Sequence, residues 1–236
     1  MGKKVSVIIS VYNGQAYIRE SILSILNQTM PPYELIIVND GSTDGTACVV
    51  SELIQKNRSN VKIKLFSQQN NGVGCGLNQG VALALGEFLA FNDADDLWVN
   101  NKLEKQVNFL TTHLEIDMVF GLVKQFYSPE LTDDEKNKIY CPSEIAEGIC
   151  LPALCIKRSI LMQLGNFDKT QKTLSFMDLF SKSQLQGISY YVLDDLVLHR
   201  RLHKKNISQT KREENKRVFA MLLKKRIDHI RKGQPC

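Results

Sequence analysis

No apolar run in this chain approaches the roughly 20 residues that a membrane-spanning helix needs. The nearest, residues 81–91, is interrupted by Glu87. The N-terminus, Met-Gly-Lys-Lys, lacks the apolar stretch of a secretory signal and leads straight into a strand-like segment. Six cysteines (48, 75, 141, 150, 155 and 236) are scattered, and none forms the CxxC pair of a zinc knuckle. Most sit among apolar residues, where cysteine behaves as a small hydrophobe. They read as reduced thiols of a cytoplasmic protein. No Gly-x-Gly-x-x-Gly is present, and Gly72, Gly74 and Gly76 follow the third strand-like segment instead of the first, which argues against dinucleotide binding. Internal repeats and low-complexity segments are also missing.

What remains is an ordinary globular composition. The 236 residues are 43% apolar, enough for a substantial core in one domain with or without an appendage. The net charge of +5 is unevenly placed: residues 200–232 carry a net +10, leaving −5 for the rest. Such asymmetry points to an anionic partner near the C-terminus. No aromatic platform accompanies the basic residues, so nucleic acid is not expected. Residues 211–232 read as a helix with Phe219, Leu222, Leu223, Ile227 and Ile230 on one face and Lys224, Lys225, Arg226 and Arg231 around it. Two placements stay open for it: packed on the domain with solvated basic edges, or lying on an anionic membrane surface.

Along the first half, strand and helix alternate. Residues 5–11 are β-branched and almost wholly apolar, as in a parallel strand buried on both faces. Residues 16–27 have helical spacing. A second strand is expected over 35–38, Thr46 as an N-cap to a helix over 47–56, a third strand over 61–66, and a helix over 77–85. Beyond these come a helix over 102–114, a strand over 118–126, a polar loop over 128–147, a strand over 150–156, helices over 157–164 and 179–186, and a strand over 190–198. The repeated alternation predicts an α/β fold with a mostly parallel, doubly wound sheet and helices on both faces. Ligands of such sheets bind beyond the carboxyl ends of the strands, where Tyr12, Asp40, Asp93 and Asp95 all fall.

The fourth strand carries the chemistry. Residues 88–91 are apolar and end in Asn-Asp-Ala-Asp-Asp, with carboxylates at Asp93, Asp95 and Asp96. Crowded acids at the tip of a buried strand repel one another and lose hydration. A hard divalent cation, Mg²⁺ or Mn²⁺, removes that penalty and bridges carboxylate to diphosphate. A solvated turn whose acids cap the next helix is the plainer alternative.

Five stretches together resemble the family-2 glycosyltransferases of the GT-A, nucleotide-diphospho-sugar transferase fold. They are Val5-Ser-Val-Ile-Ile-Ser-Val-Tyr-Asn13, Ser24-Ile-Leu-Asn-Gln-Thr29, Ile37-Val-Asn-Asp-Gly-Ser-Thr-Asp-Gly-Thr46, Asn71-Gly-Val-Gly-Cys-Gly-Leu-Asn78 and Phe91-Asn-Asp-Ala-Asp-Asp-Leu-Trp98. Looser matches follow at Gly165-Asn-Phe-Asp168, Asp178-Leu-Phe180 and residues 201–208. The resemblance implies a GT-A domain over 1–208, with a donor-nucleotide half (1–125) and an acceptor half (126–208), then the basic amphipathic tail over 209–236.

It also implies roles. Tyr12 and Asp40 hold the base of a nucleotide diphosphate sugar, a UDP-sugar first among them. Asp93 and Asp95 form the DxD element, Asp95 on the cation directly and Asp93 on the ribose or a cation-bound water. His203 stands near the diphosphate or cation. Asp178 is the candidate catalytic base of an inverting transfer. The acceptor class implied is a saccharide, a lipid-linked glycan or a peptide, and the place of action the cytoplasm or the inner face of its membrane.

Departures are visible. Ser175 and Phe176 stand where many members have an acidic pair, and Leu77 replaces a basic residue near the phosphates, a contact that Arg200, Arg201, Lys204 or Lys205 then has to supply. A sugar-nucleotide-binding subunit without turnover is the first rival reading. A sugar nucleotidyltransferase ranks behind it, because Tyr12-Asn-Gly-Gln-Ala16 lacks a basic phosphate loop.

Overall fold

The computed structural model describes residues 3–142, 144–169 and 175–206. The helix expected over 211–232 and Cys236 lie outside the described residues. The five described cysteines are free thiols, and no described helix is long and apolar enough to cross a membrane.

The first half alternates strand and helix as expected. Strand β1 (Val5–Val11) is followed by α1 (Ile18–Leu26), β2 (Glu34–Asp40), α2 (Thr46–Lys56), β3 (Lys62–Gln68), α3 (Val73–Leu83) and β4 (Phe88–Phe91). Strand β1 pairs in parallel with β2 on one side and β4 on the other, and β3 extends the sheet beyond β2. Almost every residue of β1, β2 and β4 is buried. This explains their near-continuous Val/Ile/Leu content, because both faces are covered. Each fully buried side chain such as Ile8 or Ile36 contributes about 1.5–3 kcal/mol.

The far half adds β5 (Leu97–Trp98), α4 (Lys102–Thr112), β6 (Met118–Tyr127), the short α5 (Asp133–Lys136), β7 (Ala146–Glu147), β8 (Cys155–Lys157), α6 (Arg158–Leu164), α7 (Ser175–Leu185) and β9 (Tyr190–Leu202). Among the described residues the sheet has nine strands in the order β3-β2-β1-β4-β8-β6-β9-β5, with β7 on β6. Here the parallel pattern breaks. Strand β8 runs antiparallel between β4 and β6, and β5 antiparallel to β9, while β6 and β9 are parallel.

Several local expectations need correction. Helix α3 begins at Val73, not at 77, and its glycines serve close packing: a Cβ on Gly76 would meet Ser10 Oγ at 2.1 Å, and one on Gly80 would meet Ile8 Cγ2 at 2.4 Å. Gly45, not Thr46, holds the N-cap position of α2; the Asp44 carboxylate accepts the Thr46 N–H at 3.0 Å and does the capping. The strand expected over 150–156 is a 3-10 turn at Leu151–Ala153 followed by β8. The segment 128–147 is partly structured: α5 has a capping box between Thr132 and Glu135, and Leu131 and Ile139 form a small satellite core with Leu202.

Candidate functional site

Register alone brings the predicted residues to one rim. Val11 of β1 lies opposite Asn39 of β2, so Tyr12 and Asp40 leave the sheet side by side. On the other flank Ile8 pairs with Phe91, which sets the loop after β4 beside the loop after β1. A Cβ on Gly14 would lie 3.3 Å from Ala94 Cβ, so these two loops touch. The β1 and β2 loops are stitched together: the Asn13 N–H donates to Ser42 Oγ at 2.9 Å, Asn13 Oδ1 accepts the Thr43 N–H at 2.8 Å, and the Gly14 N–H donates to Thr46 Oγ1 at 2.9 Å. Asn13 takes the left-handed conformation (φ 52°) that asparagine tolerates better than most residues. Tyr12, 53% exposed, stands clear of this lacework.

Asp40 is different. It is 2% exposed, and its carboxylate is engaged by the chain itself. Oδ1 accepts from Gln68 Nε2 at 2.7 Å and the Asn71 N–H at 3.0 Å, and Oδ2 accepts the Gly72 N–H at 2.9 Å. It therefore anchors the loop that leads into α3.

The acids occupy a tight turn between β4 and β5. The Asp96 N–H donates to Asp93 O at 3.3 Å. Ser21 of α1 holds the turn from outside, its Oγ donating to Asp93 O at 3.0 Å and accepting from Asn92 Nδ2 at 2.9 Å. Asp96 points inward, is 2% exposed, and accepts the Arg201 N–H at 2.9 Å through Oδ1. Burial, followed by the Asp95 and Asp93 charges, raises its pKa well above the carboxylate range. Asp93 is pushed up to about 7 by desolvation and then by the Asp95 carboxylate, with Arg200 opposing. Its outer surface is open to solvent, so the Asp95 charge is the contribution that stands most firmly there.

Strand β9 closes the site from a hundred residues away. Arg201 is 3% exposed. Its Nε donates to Asp95 O at 3.0 Å, its Nη2 pairs with Glu20, and its guanidinium lies 5.1 Å from the Tyr17 ring centre and 4.9 Å from that of Phe126. Glu20 is 60% exposed, so solvent screens this pair and its loss costs less than that of a fully buried one. This corrects the expectation that Arg201 supplies a phosphate contact: it is a buried post that holds the acidic turn. Lys204 is paired with Glu135. Next along the chain, His203 Nε2 lies 2.7 Å from Asp95 Oδ2, and Asn206 Nδ2 donates to the same oxygen at 3.2 Å. The Tyr17 ring is tilted against the His203 ring at 4.5 Å, and its hydroxyl donates to Glu130. Burial and then that bond push the Tyr17 hydroxyl up to about 12.

Asp178 is not joined to this group. It lies in the first turn of α7, is 6% exposed, and pairs by charge with Lys182 Nζ at 2.6 Å from Oδ2. Oδ2 nonetheless has no aligned hydrogen-bond donor among the described residues, so the pair is one of proximity. Among the described residues no hydrogen bond or ion pair links Asp178 to Tyr12, Asp40, Asp93, Asp95 or His203. A hollow of about 550 Å³ beside Lys4, Gly86 and Arg158 lies at the opposite rim, away from the acids.

The acidic turn suits a hard cation. Asp95 is held through Oδ2 alone, and neither its Oδ1 nor the Asp93 carboxylate has a hydrogen-bond or ion-pair partner among the described residues. Among the described residues no three His, Cys, Asp or Glu side chains form a ready-made metal cage. One or two carboxylates with the remaining positions left to phosphate and water is how Mg²⁺-type ions are commonly held. Sequence reasoning missed Tyr17, Glu20, Ser21 and Glu130, whose local patterns are those of an ordinary helix start and loop. Asn206 lay inside the quoted 201–208 stretch without a role.

Comparison with known proteins agrees with this fold. Residues 6–163 match the family described as glycosyl transferase family 2. The chain is 30% identical over 240 residues to the uncharacterized glycosyltransferase RT0329 of Rickettsia typhi, covering 94% of this chain and 72% of that protein. It superposes on S. aureus TarS 1–349 in complex with UDP with a TM-score of 0.65 at 25% identity, over 84% of this chain and 60% of that one. The mannosyltransferase PcManGT from Pyrobaculum calidifontis, in complex with GDP-Man and Mn²⁺, gives a TM-score of 0.65 at 21% identity, over 88% and 59%. The fold is thus that of GT-A glycosyltransferases. Other curated relatives are longer, and the chain spans 44%, 28% and 33% of three of them.

Proposed function

This chain belongs to glycosyl transferase family 2, and from that premise we propose that it moves a sugar from a nucleoside diphosphate sugar to an acceptor with the help of Mn²⁺ or Mg²⁺. The observation that carries the reading is the meeting of Tyr12, Asp40 and the Asp93–Asp95 turn at the ends of three adjacent parallel strands. The exposed Tyr12 ring stacks on the base. Asp40 fixes the loop that bounds the base site, and its Oδ2, with one bond made, accepts an N–H of the base. UDP is the nucleotide we propose, in keeping with the TarS complex.

Asp95 Oδ1 and the Asp93 carboxylate are the groups that would hold the cation. When bound there, the cation offsets the negative charge that grows on the leaving diphosphate. Asp178 is our proposed base, taking the proton from the attacking acceptor hydroxyl in an inverting transfer. We also propose that the acceptor, a saccharide, lipid-linked glycan or peptide, enters from the side of the 128–147 segment, and that the protein works in the cytoplasm or at the inner face of its membrane.

Calorimetry of UDP binding tests this. The wild type should bind UDP more tightly with Mn²⁺, and Asp95→Asn should lose that dependence while melting at the wild-type temperature. Equal affinity with and without Mn²⁺ in the wild type would sink the proposal. The buried, Lys182-paired state of Asp178 beside Ser175 and Phe176 favours one second reading, donor binding without turnover. Release of free nucleotide from a donor panel with Mn²⁺ separates the two.

A further inference from the structure

A nucleoside diphosphate sugar has a fixed order of parts: base, ribose, diphosphate, sugar. The strands of the sheet have an order as well. Asp40 ends β2, Tyr12 follows β1 and the acids follow β4, and these three strands are neighbours. The next neighbour, β8, runs antiparallel to β4 with Ala90 opposite Cys155. The chain before Cys155 is therefore level with the chain after Ala90. This sets the 3-10 turn Leu151–Ala153 beside the acidic turn, on the side away from Tyr12. The turn packs on β4, β6 and β9, and the Cys150 thiol lies in the field of Asp96, Arg200 and Asp93.

Three buried side chains grip this turn by successive carbonyls. Trp98 Nε1 donates to Pro152 O at 3.0 Å, Gln106 Nε2 to Ala153 O at 2.8 Å and Lys102 Nζ to Leu154 O at 3.4 Å. Lys102 and Gln106 sit one turn apart on α4 and are bonded to each other at 2.5 Å. The ammonium lies 4.3 Å from the centre of the Trp98 ring. Lys102 is wholly buried, and burial pushes its pKa down to about 8. Among the described residues no carboxylate pairs with it. Packing alone does not call for a charge here, because apolar residues of similar volume often serve as well or better in a core. What the lysine adds is direction, a donor aimed at one carbonyl. The approach to the turn is fixed too: the Gly148 N–H donates to Gly121 O at 3.0 Å, and a Cβ there would meet Val123 Cγ2 at 2.1 Å.

Resting on the donor site proposed above, we infer that this turn is the wall against which the transferred sugar lies. Cys150 at its edge is the specificity-determining residue, and Trp98, Lys102 and Gln106 are positioning residues that hold the wall in place. With the base at Tyr12 and the diphosphate at the acids, the sugar is the part of the donor that reaches the β8 side. Cysteine is small, and a larger side chain at that edge takes up the space of a ring substituent.

Calorimetric titration of the full chain with Mn²⁺ present, comparing UDP with UDP-GlcNAc, UDP-glucose and UDP-galactose, tests the inference. Cys150→Leu should leave UDP affinity nearly unchanged and weaken the sugar nucleotides about tenfold or more, as a misfitting group in a shaped pocket does. Equal weakening of UDP, or unaltered affinity for the sugar nucleotides, overturns the inference.

The second arm uses Lys102→Met and Trp98→Phe, each of which deletes one donor to the turn and keeps an apolar side chain. Each should lower the ratio of sugar-nucleotide to UDP affinity about 2–10-fold, the worth of one hydrogen bond. Lys102→Met should melt at or above the wild-type temperature. A merely structural role lowers both affinities in step and leaves the ratio unchanged, which overturns the positioning role. Thermal melts reveal a variant that fails to fold, and the two arms do not depend on each other. If the wild type binds no UDP, the donor-site reading itself fails; if it binds UDP and every ratio stays at the wild-type value, this inference alone fails.

Discussion

Asp40→Asn separates the two tasks assigned to one carboxylate. The side chain is 2% exposed and accepts three hydrogen bonds, two on Oδ1 and one on Oδ2. The amide keeps an acceptor for Gln68 and Asn71 but turns an NH₂ group towards the Gly72 N–H. One partly buried donor then loses its acceptor, at a cost of about 1–3 kcal/mol. For a domain of this size each kcal/mol lowers Tm by about 2–4 °C. Gly72 is only partly buried, so its N–H recovers some bonding from water, and the lower half of that range is expected. Differential scanning calorimetry gives the melting shift, and titration with UDP at a temperature well below it gives affinity. Both should fall. An unchanged Tm refutes the anchoring role of Asp40, and a lowered Tm with unchanged UDP affinity refutes its contact with the base.

Other expectations follow from the same geometry. Tyr12→Ala, at an exposed position, should leave Tm nearly unchanged but weaken UDP binding by about 1–3 kcal/mol, the worth of one base–aromatic stack, as read by calorimetry. Asp178→Ala should cut sugar transfer in a nucleotide-release assay and spare donor affinity; full activity would place the base elsewhere. Burial alone would raise Glu34, but Lys64, Ser6 and the Leu85 N–H outweigh it and hold the carboxyl below its usual 4.5. Its folded pKa is depressed, so its contribution is present above the ordinary value and lost as pH falls through the folded one; Glu34→Gln should flatten the acid side of the stability curve. For Asp96 the sign reverses. Its folded pKa is raised, so stability drains away as pH rises above the ordinary carboxylate range. Asp96→Asn keeps the acceptor for the Arg201 N–H and should raise Tm at about pH 8 while changing it little at about pH 4.

The first half was legible because its information is local. Buried parallel strands read as unbroken apolar runs, and their ends are marked by Tyr12, Asp40 and Asp93 whatever the rest of the chain does. The order of the far strands was not legible: nothing in residues 155–157 says that they run antiparallel between β4 and β6. The helix was expected only from residue 77, yet it starts at Val73, and Gly76 within it is packed where Ser10 leaves no room for a side chain. Arg201 misled for a related reason. A basic cluster suggests solvent and phosphate, whereas this guanidinium finds Glu20, Asp95 O and two aromatic rings, partners drawn from three distant segments. Asp40 was placed correctly, but its bonds to Gln68, Asn71 and Gly72 depend on a loop conformation that spacing does not encode.

The post formed by Arg201 has a consequence for how such a chain can be recombined. The turn bearing the acids belongs to the first hundred residues, but its posture is set by a backbone amide and a guanidinium from near residue 200. A graft that swaps the second half must bring its own equivalent of that strand, in register, or the proposed cation ligands lose their footing. Shuffling at the midpoint therefore replaces the support of the acidic turn along with everything else in the second half.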